Sequence, residues 1–307
     1  GREGKIVNLR WRIVVVMVVA LLVGCYNRIV PTPDAEHSTH MANMTLAQPR
    51  DAVEYRQRLR VDDDVVVEGR VVSSDREDNL RYSLYVEDEG NFWAVCLFIA
   101  DTLSYDRADS VELAYQGGVG IGRFQALLSA FDKPLNETIK GFHNIRWRFQ
   151  QWDEALAADK AGRKAELATE IEWIESRREK MLDFWAMVED GRLPLRVTHN
   201  DTKLSNILFD QNDEVLCVID LDTVMSSTSL NDFGDAIRSY TNTGAEDDED
   251  LSRVSMNIET FKHYTAGYLS ERCASMTETE KEWLAFSALY ITFEQVLRFL
   301  MDYIDGD

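Results

Sequence analysis

The chain has 307 residues, enough for one large domain or two modest ones. Its 45% hydrophobic and 10% aromatic content is that of a packed globular protein and excludes a wholly disordered chain. A net charge of −21 argues against a nucleic-acid binder, because nucleic-acid phosphates select basic surfaces, but it leaves room for one local cationic site on an acidic protein. The cysteines Cys25, Cys96, Cys217 and Cys273 form no C-x-x-C pair, so neither a zinc site nor a disulfide framework is expected.

In chain order, residues 1–25 come first. Arg2, Lys5, Arg10 and Arg12 precede the apolar run Ile13–Gly24, which ends at Cys25. A basic start, a short apolar stretch and a small residue before a cleavage point make a secretory signal. The run is too short for an ordinary spanning helix, and a buried β-branched strand is the alternative. Leu22-Val23-Gly24-Cys25 resembles a bacterial lipobox, which implies a lipidated Cys25 and a cell-envelope location. The chain opens on Gly1 rather than Met and is read as a fragment or an artificially joined chain.

Residues 26–60 are polar, carry Pro31 and Pro33, and read as a tether followed by a short helix near Leu46–Arg60. Residues 61–98 read as β-rich. DVVVEGRVVS at 64–73 is a strand with Gly69 at a bulge, Asp75 to Asn79 is a turn, and LRYSLYVE at 80–87 returns. An apolar strand from Asn91 follows. Residues 1–90 resemble the N-terminal part of certain bacterial surface lipoproteins with a small OB-like domain.

Residues 99–307 are mainly helical in pattern. Amphipathic spacing predicts helices over Ala114–Phe131, Glu154–Asp190, Leu251–Ser270 and Thr277–Tyr303. Gly117, Gly118, Gly120 and Gly122 look like a phosphate cradle, but a lone glycine run is a weak signal, and close helix packing is the expected role.

Between the helices lies RVTHNDTKLSNILFDQNDEVLCVIDLD at 196–222. It sets His199, Asp201, Lys203 and Asn206 on one loop, then delivers Asp220 at the end of an apolar strand. Protein-kinase-like enzymes present a base, a phosphate-binding cation and two metal ligands in this order. Asp201 is the candidate base and Lys203 the candidate phosphate contact. Asn206 and Asp220 are hard oxygen ligands suited to Mg²⁺, with Asp222 a further candidate. His199 is expected to fix the loop through its ring. Asp232 and Asp235 follow too late in the chain to be metal ligands and are expected to stabilise the loop through its backbone amides.

THNDTKLSNILFD and VIDLDTVMSSTSLNDFGDAIR closely resemble the aminoglycoside phosphotransferase and choline kinase superfamily, and the N-acetylhexosamine 1-kinases within it. FIADTLSYD (98–106), GRFQALL (122–128), LNETIKGFHNIRWRF (135–149) and ITFEQVLRFLMDYIDGD (291–307) match in the same order, so the likeness covers about residues 91–307. It implies an α+β, protein-kinase-like fold: a mainly helical large lobe (99–307), truncated at its C-terminus, with an atypical, short β-rich part before it. It also implies ATP and Mg²⁺ as cofactors and a sugar as the small-molecule partner. Phe98, Ile99, Ala100, Asp101 and Thr102 become the adenine-contacting hinge, and Arg298 a sugar-binding arginine. An ion pair of Arg298 with Asp302 on the helix surface is the alternative.

One feature expected of such an enzyme is missing. No lysine occurs between Lys5 and Lys133, where a small lobe usually supplies a cation to the phosphates. A kinase also belongs in the cytoplasm, whereas the signal sends the chain to the envelope and would touch a membrane only through its lipid. The expectation is therefore a sugar phosphotransferase joined near residues 88–93 to a lipoprotein-like start, with an envelope lipoprotein binding module carrying an inert kinase-like part as the alternative.

Overall fold

In the computed structural model the described residues are 70–71, 83–88, 91–96 and 99–306, except Pro134 and 245–249. The predicted signal, the tether and its helix, most of strand 64–73 with Gly69, the turn at 75–79, and Phe98 all lie outside them. The chain divides into two units, Gly1–Ala100 and Asp101–Asp307.

In the first unit, β1 (Arg70–Val71), β2 (Ser83–Asp88) and β3 (Asn91–Cys96) form an antiparallel sheet in the order β1-β2-β3. Ser83 pairs with Cys96 and Asp88 with Asn91, so only Glu89 and Gly90 separate the two longer strands.

The second unit is built on helices. Ser110 caps α1 (Val111–Leu127) by accepting the Leu113 amide at 3.0 Å. Asn144 caps α2 (Ile145–Ala158) in the same way through Trp147. The single helix predicted over Glu154–Asp190 is in fact two, α2 and α3 (Ala168–Glu189). Asp159 ends α2 in the left-handed region, Gly162 follows with φ +69°, and a 3-10 turn at Lys164–Leu167 leads into α3. The apolar stripe continues across the break, which hid it from the spacing.

Two short strand pairs carry the central block. β4 (Leu195–Thr198) pairs antiparallel with β7 (Met225–Thr228). β5 (Ile207–Phe209) and β6 (Val215–Val218) form a hairpin, and Leu103 bridges to Phe209 through two backbone hydrogen bonds of 2.9 Å. The helices α4 (Ser229–Tyr240), α5 (Ile258–Arg272) and α6 (Glu278–Asp305) complete the unit. Thr277 and Glu280 form a reciprocal capping box at the start of α6.

The core is aromatic and continuous. Trp152, Phe184, Phe233, Tyr264, Tyr268, Tyr290 and Phe293 are all buried. Helix α6 is long and apolar enough to cross a membrane. It packs instead against α2 and α4 and buries two carboxylates, Glu280 and Glu294, each satisfied by arginine. This is the signature of a core helix.

Helix α1 crosses α5 at very close range, and this is what Gly118 and Gly122 serve. A Cβ on Gly118 would strike the Tyr264 carbonyl, and one on Gly122 would lie 2.6 Å from the Tyr268 carbonyl. From the other side, a Cβ on Gly267 would strike the Tyr115 carbonyl. Backbone cannot retreat as a side-chain tip can, so Gly118→Ala is expected to cost about 1–3 kcal/mol by overpacking. Urea unfolding of the two proteins measures it.

Candidate active site

The loop after β4 carries His199, Asn200 and Asp201. Asn200 has φ +65°, a left-handed conformation that asparagine tolerates better than most residues. The two acids of α4 hold this loop from below. Asp232 accepts the His199 amide at 3.0 Å and the Asn200 amide at 2.7 Å, and Gln125 of α1 donates to it at 2.7 Å. Asp235 accepts the Thr202 amide at 2.8 Å. The expected role of both acids is met atom by atom. Burial pushes the Asp232 carboxyl above the usual range, although its donors pull the other way.

His199 is buried and its ring links two loops. The Asp201 amide donates to Nδ1 at 3.3 Å, which leaves Nε2 as the protonated nitrogen, donating to the Ile219 carbonyl at 2.9 Å. Phe124 of α1 packs edge-on against the ring at 5.7 Å. The Ile219 amide in turn donates to the Asn206 carbonyl at 2.8 Å. Residue 219 is therefore tied to the loop through both its amide and its carbonyl, and the next residue is Asp220. Asp220 has φ +61° and is exposed, at the start of the 3-10 turn Leu221–Thr223 that carries Asp222. A non-glycine residue held at positive φ by its surroundings is a common mark of a functional position.

Asp201 is half-buried and its two oxygens differ. Oδ2 accepts Lys203 Nζ at 2.9 Å and Asn206 Nδ2 at 3.0 Å. Among the described residues Oδ1 has no hydrogen bond. Asn206 is buried, and its amide nitrogen is spent on the Asp201 carboxylate and carbonyl. Its Oδ1 is the atom left for a cation. For Lys203, burial lowers the pKa, but the bond to Asp201 and the charges of Asp201, Asp220 and Asp235 outweigh it, so the net shift is upward.

Among the described residues no group of three or more His, Cys, Asp or Glu side chains could by itself hold a metal. Mg²⁺ does not require one, because it commonly sits on one or two carboxylates together with phosphate oxygens and water. An amide oxygen from Asn206 and carboxylates from Asp220 and Asp222 are the hard donors that suit it.

Ile99, Ala100 and Asp101 are exposed, Thr102 is partly buried, and Asp101 has φ +58° and offers its carbonyl to Gln211 at 3.0 Å. Arg298 is exposed on α6, with its guanidinium 5.7 Å from the Phe299 ring. No ion pair joins it to Asp302 among the described residues. Three contributors escaped the sequence reading. Thr223 donates to the His199 carbonyl at 2.6 Å, His143 meets the Asn200 carbonyl at 3.1 Å, and Glu294 holds the other nitrogen of the His143 ring. All three lie within the family-like stretches, but nothing there marks these contacts.

A carboxylate set between a lysine and an amide, with a second carboxylate delivered by a tethered hairpin on a mainly helical lobe, defines a protein-kinase-like phosphotransferase fold. The sequence profile of the Phosphotransferase enzyme family matches residues 53–260, and the chain belongs to that family. The match opens at residue 53 and so takes in β1, β2, β3 and the stretch 88–93, although the residues quoted from the sequence carry the likeness only from about 91. Similar solved structures include aminoglycoside phosphotransferase APH(2'')-Ib with ADP bound, at 15% identity and a TM-score of 0.46 over 74% of this chain and 75% of that one. An aminoglycoside phosphotransferase from Alicyclobacillus acidocaldarius is 13% identical, with a TM-score of 0.40 over 74% and 80% of the two chains. Choline kinase from Cryptosporidium parvum is 13% identical, with a TM-score of 0.40 over 74% and 73%.

Proposed function

We propose that this chain transfers the γ-phosphoryl group of ATP to a sugar hydroxyl, with the anomeric hydroxyl of an N-acetylhexosamine as acceptor. The observation that carries the chemistry is the division within the Asp201 carboxylate. Oδ2 is occupied by Lys203 and Asn206, and Oδ1 is open to an incoming hydroxyl. The sugar assignment rests on the resemblance of residues 91–307 to the N-acetylhexosamine 1-kinases.

In this mechanism Asp201 Oδ1 takes the acceptor proton as the acceptor oxygen attacks the γ-phosphorus. The bond from that phosphorus to the β–γ bridging oxygen breaks, and its electron pair leaves with ADP. Lys203 exchanges Asp201 for the transferring phosphoryl group and offsets its negative charge. Asn206 Oδ1 and Asp220 would hold Mg²⁺, with Asp222 nearby in sequence. The ion supplies charge neutralisation along the phosphates. His199 holds no substrate; it keeps the two loops in register. Ile99 to Thr102 take the adenine, and Arg298 meets the sugar.

The test offers ATP and Mg²⁺ with GlcNAc, GalNAc, choline or an aminoglycoside, and follows ADP release and the ³¹P spectrum of the product. A sugar 1-phosphate is expected. Transfer to choline or the aminoglycoside alone would move the acceptor class and keep the mechanism. No transfer to any acceptor would overturn the reading. Asp220→Asn is expected to raise the Mg²⁺ concentration for half-maximal rate about tenfold or more.

A further inference from the structure

His143 precedes α2, is 2% exposed and has φ +55°. Its Nδ1 lies 2.7 Å from Glu294 Oε2 on α6, and its Nε2 lies 3.1 Å from the Asn200 carbonyl oxygen. A carboxylate and a backbone carbonyl are both acceptors. A neutral imidazole has one N–H and can serve only one of them, so the geometry calls for imidazolium. Glu294 is the anion of the pair, because Arg148 donates to its other oxygen at 3.0 Å and 3.2 Å.

The surrounding charges agree. Burial pushes the His143 pKa down, but Glu294 and then Asp235 more than reverse this, so it stands above the ordinary 6.5. Burial pushes Glu294 up, and His143 and Arg148 more than reverse that, so it stands below 4.5. Tyr290 is a further titratable neighbour; its hydroxyl donates to the His143 carbonyl at 2.8 Å and its burial keeps it neutral.

Asn200 is the residue before Asp201. Its left-handed backbone is restrained by Asp232 at the amide and by the Thr223 carbonyl, 2.8 Å from its side chain. His143 restrains its carbonyl. Conformations of this kind persist where the surroundings over-determine them. We propose that His143 is a positioning residue for phosphoryl transfer: as a buried imidazolium it ties Glu294 of α6 to the Asn200 carbonyl and so holds Asp201 in its working orientation.

The proposal rests on the functional reading above only for its effect on turnover. The sign follows from the charge. The brace is complete below pH 6.5 and is lost as pH rises through the raised pKa of folded His143, when one of its two bonds must go. Glu294→Gln separates charge from contact. A glutamine amide can donate to Nδ1 while its oxygen keeps Arg148, which lets a neutral His143 still donate to Asn200.

Wild type, His143→Leu and Glu294→Gln are compared from pH 6 to 9 by imidazole ¹⁵N shifts, amide exchange at 199–202 corrected for intrinsic rate, and kcat and KM. Wild type should show a doubly protonated His143 at pH 6, and loop protection and kcat that fall on the alkaline side. His143→Leu should lose about tenfold or more in protection and kcat at every pH, with acceptor KM nearly unchanged. Glu294→Gln should keep both and lose the alkaline fall. A neutral His143 ring at pH 6, or wild-type protection in His143→Leu, overturns the proposal. If His143→Leu does not fold, an alkaline fall that persists in Glu294→Gln overturns it instead. A wild type that transfers no phosphate overturns the functional reading alone, because the ring and exchange measurements decide the brace without turnover.

Discussion

Asp201→Asn is expected to lower kcat by about 10²–10⁴-fold while leaving the acceptor KM and the fold nearly unchanged. The substitution keeps the shape of the side chain and an oxygen that Asn206 can still reach. It removes the proton acceptor and the charge that holds Lys203 at 2.9 Å. The position is partly open to solvent, so a large stability loss is not expected. Steady-state kinetics on purified protein, with thermal melting as the control, measure both. A kcat within about threefold of wild type would remove Asp201 from the role of base.

Asp232→Ala is expected to be the most destabilising change at the site. It would strand the buried amides of His199 and Asn200 and free Gln125 from one of its partners. Each buried donor left unpaired costs about 1–3 kcal/mol, so a loss of roughly 3–5 kcal/mol is expected. Urea unfolding measures it. Asp235→Asn is the contrast. An asparagine oxygen can still accept the Thr202 amide, but the charge that pairs with the largely buried Arg238 is lost, so about 1–2 kcal/mol is expected there. Equal losses in the two variants would mean that the Asp232 contacts do not hold the loop.

Much of this arrangement is legible in the sequence because the site is local. His199, Asp201, Lys203 and Asn206 sit on one turn of chain, and the hairpin that returns Asp220 is marked by its apolar strands and the polar turn at 210–213. The packing role of the α1 glycines is also legible from their place within a helical pattern. Other features depend on contacts between distant residues. His143 and Glu294 are 151 positions apart, and neither belongs to a pattern that announces a pair. The break between α2 and α3 is masked by an apolar stripe that resumes in phase. The β-rich segment is hard to place because short valine-rich strands are common to many folds, and the lysine that would mark a small lobe is not in it.

The double tether of Ile219 has a consequence for how the chain can vary. The Ile219 amide reaches the Asn206 carbonyl at 2.8 Å, and its carbonyl takes His199 at 2.9 Å. The hairpin between Asn206 and Ile219 is thus pinned at its base, and Asp220 is aligned to Asp201 without help from the hairpin tip. Lengthening a loop whose ends are already fixed costs only about 0.6 kcal/mol per doubling. Residues 211–213 are exposed, so this tip is where an inserted label or peptide should leave the spacing of the two aspartates intact.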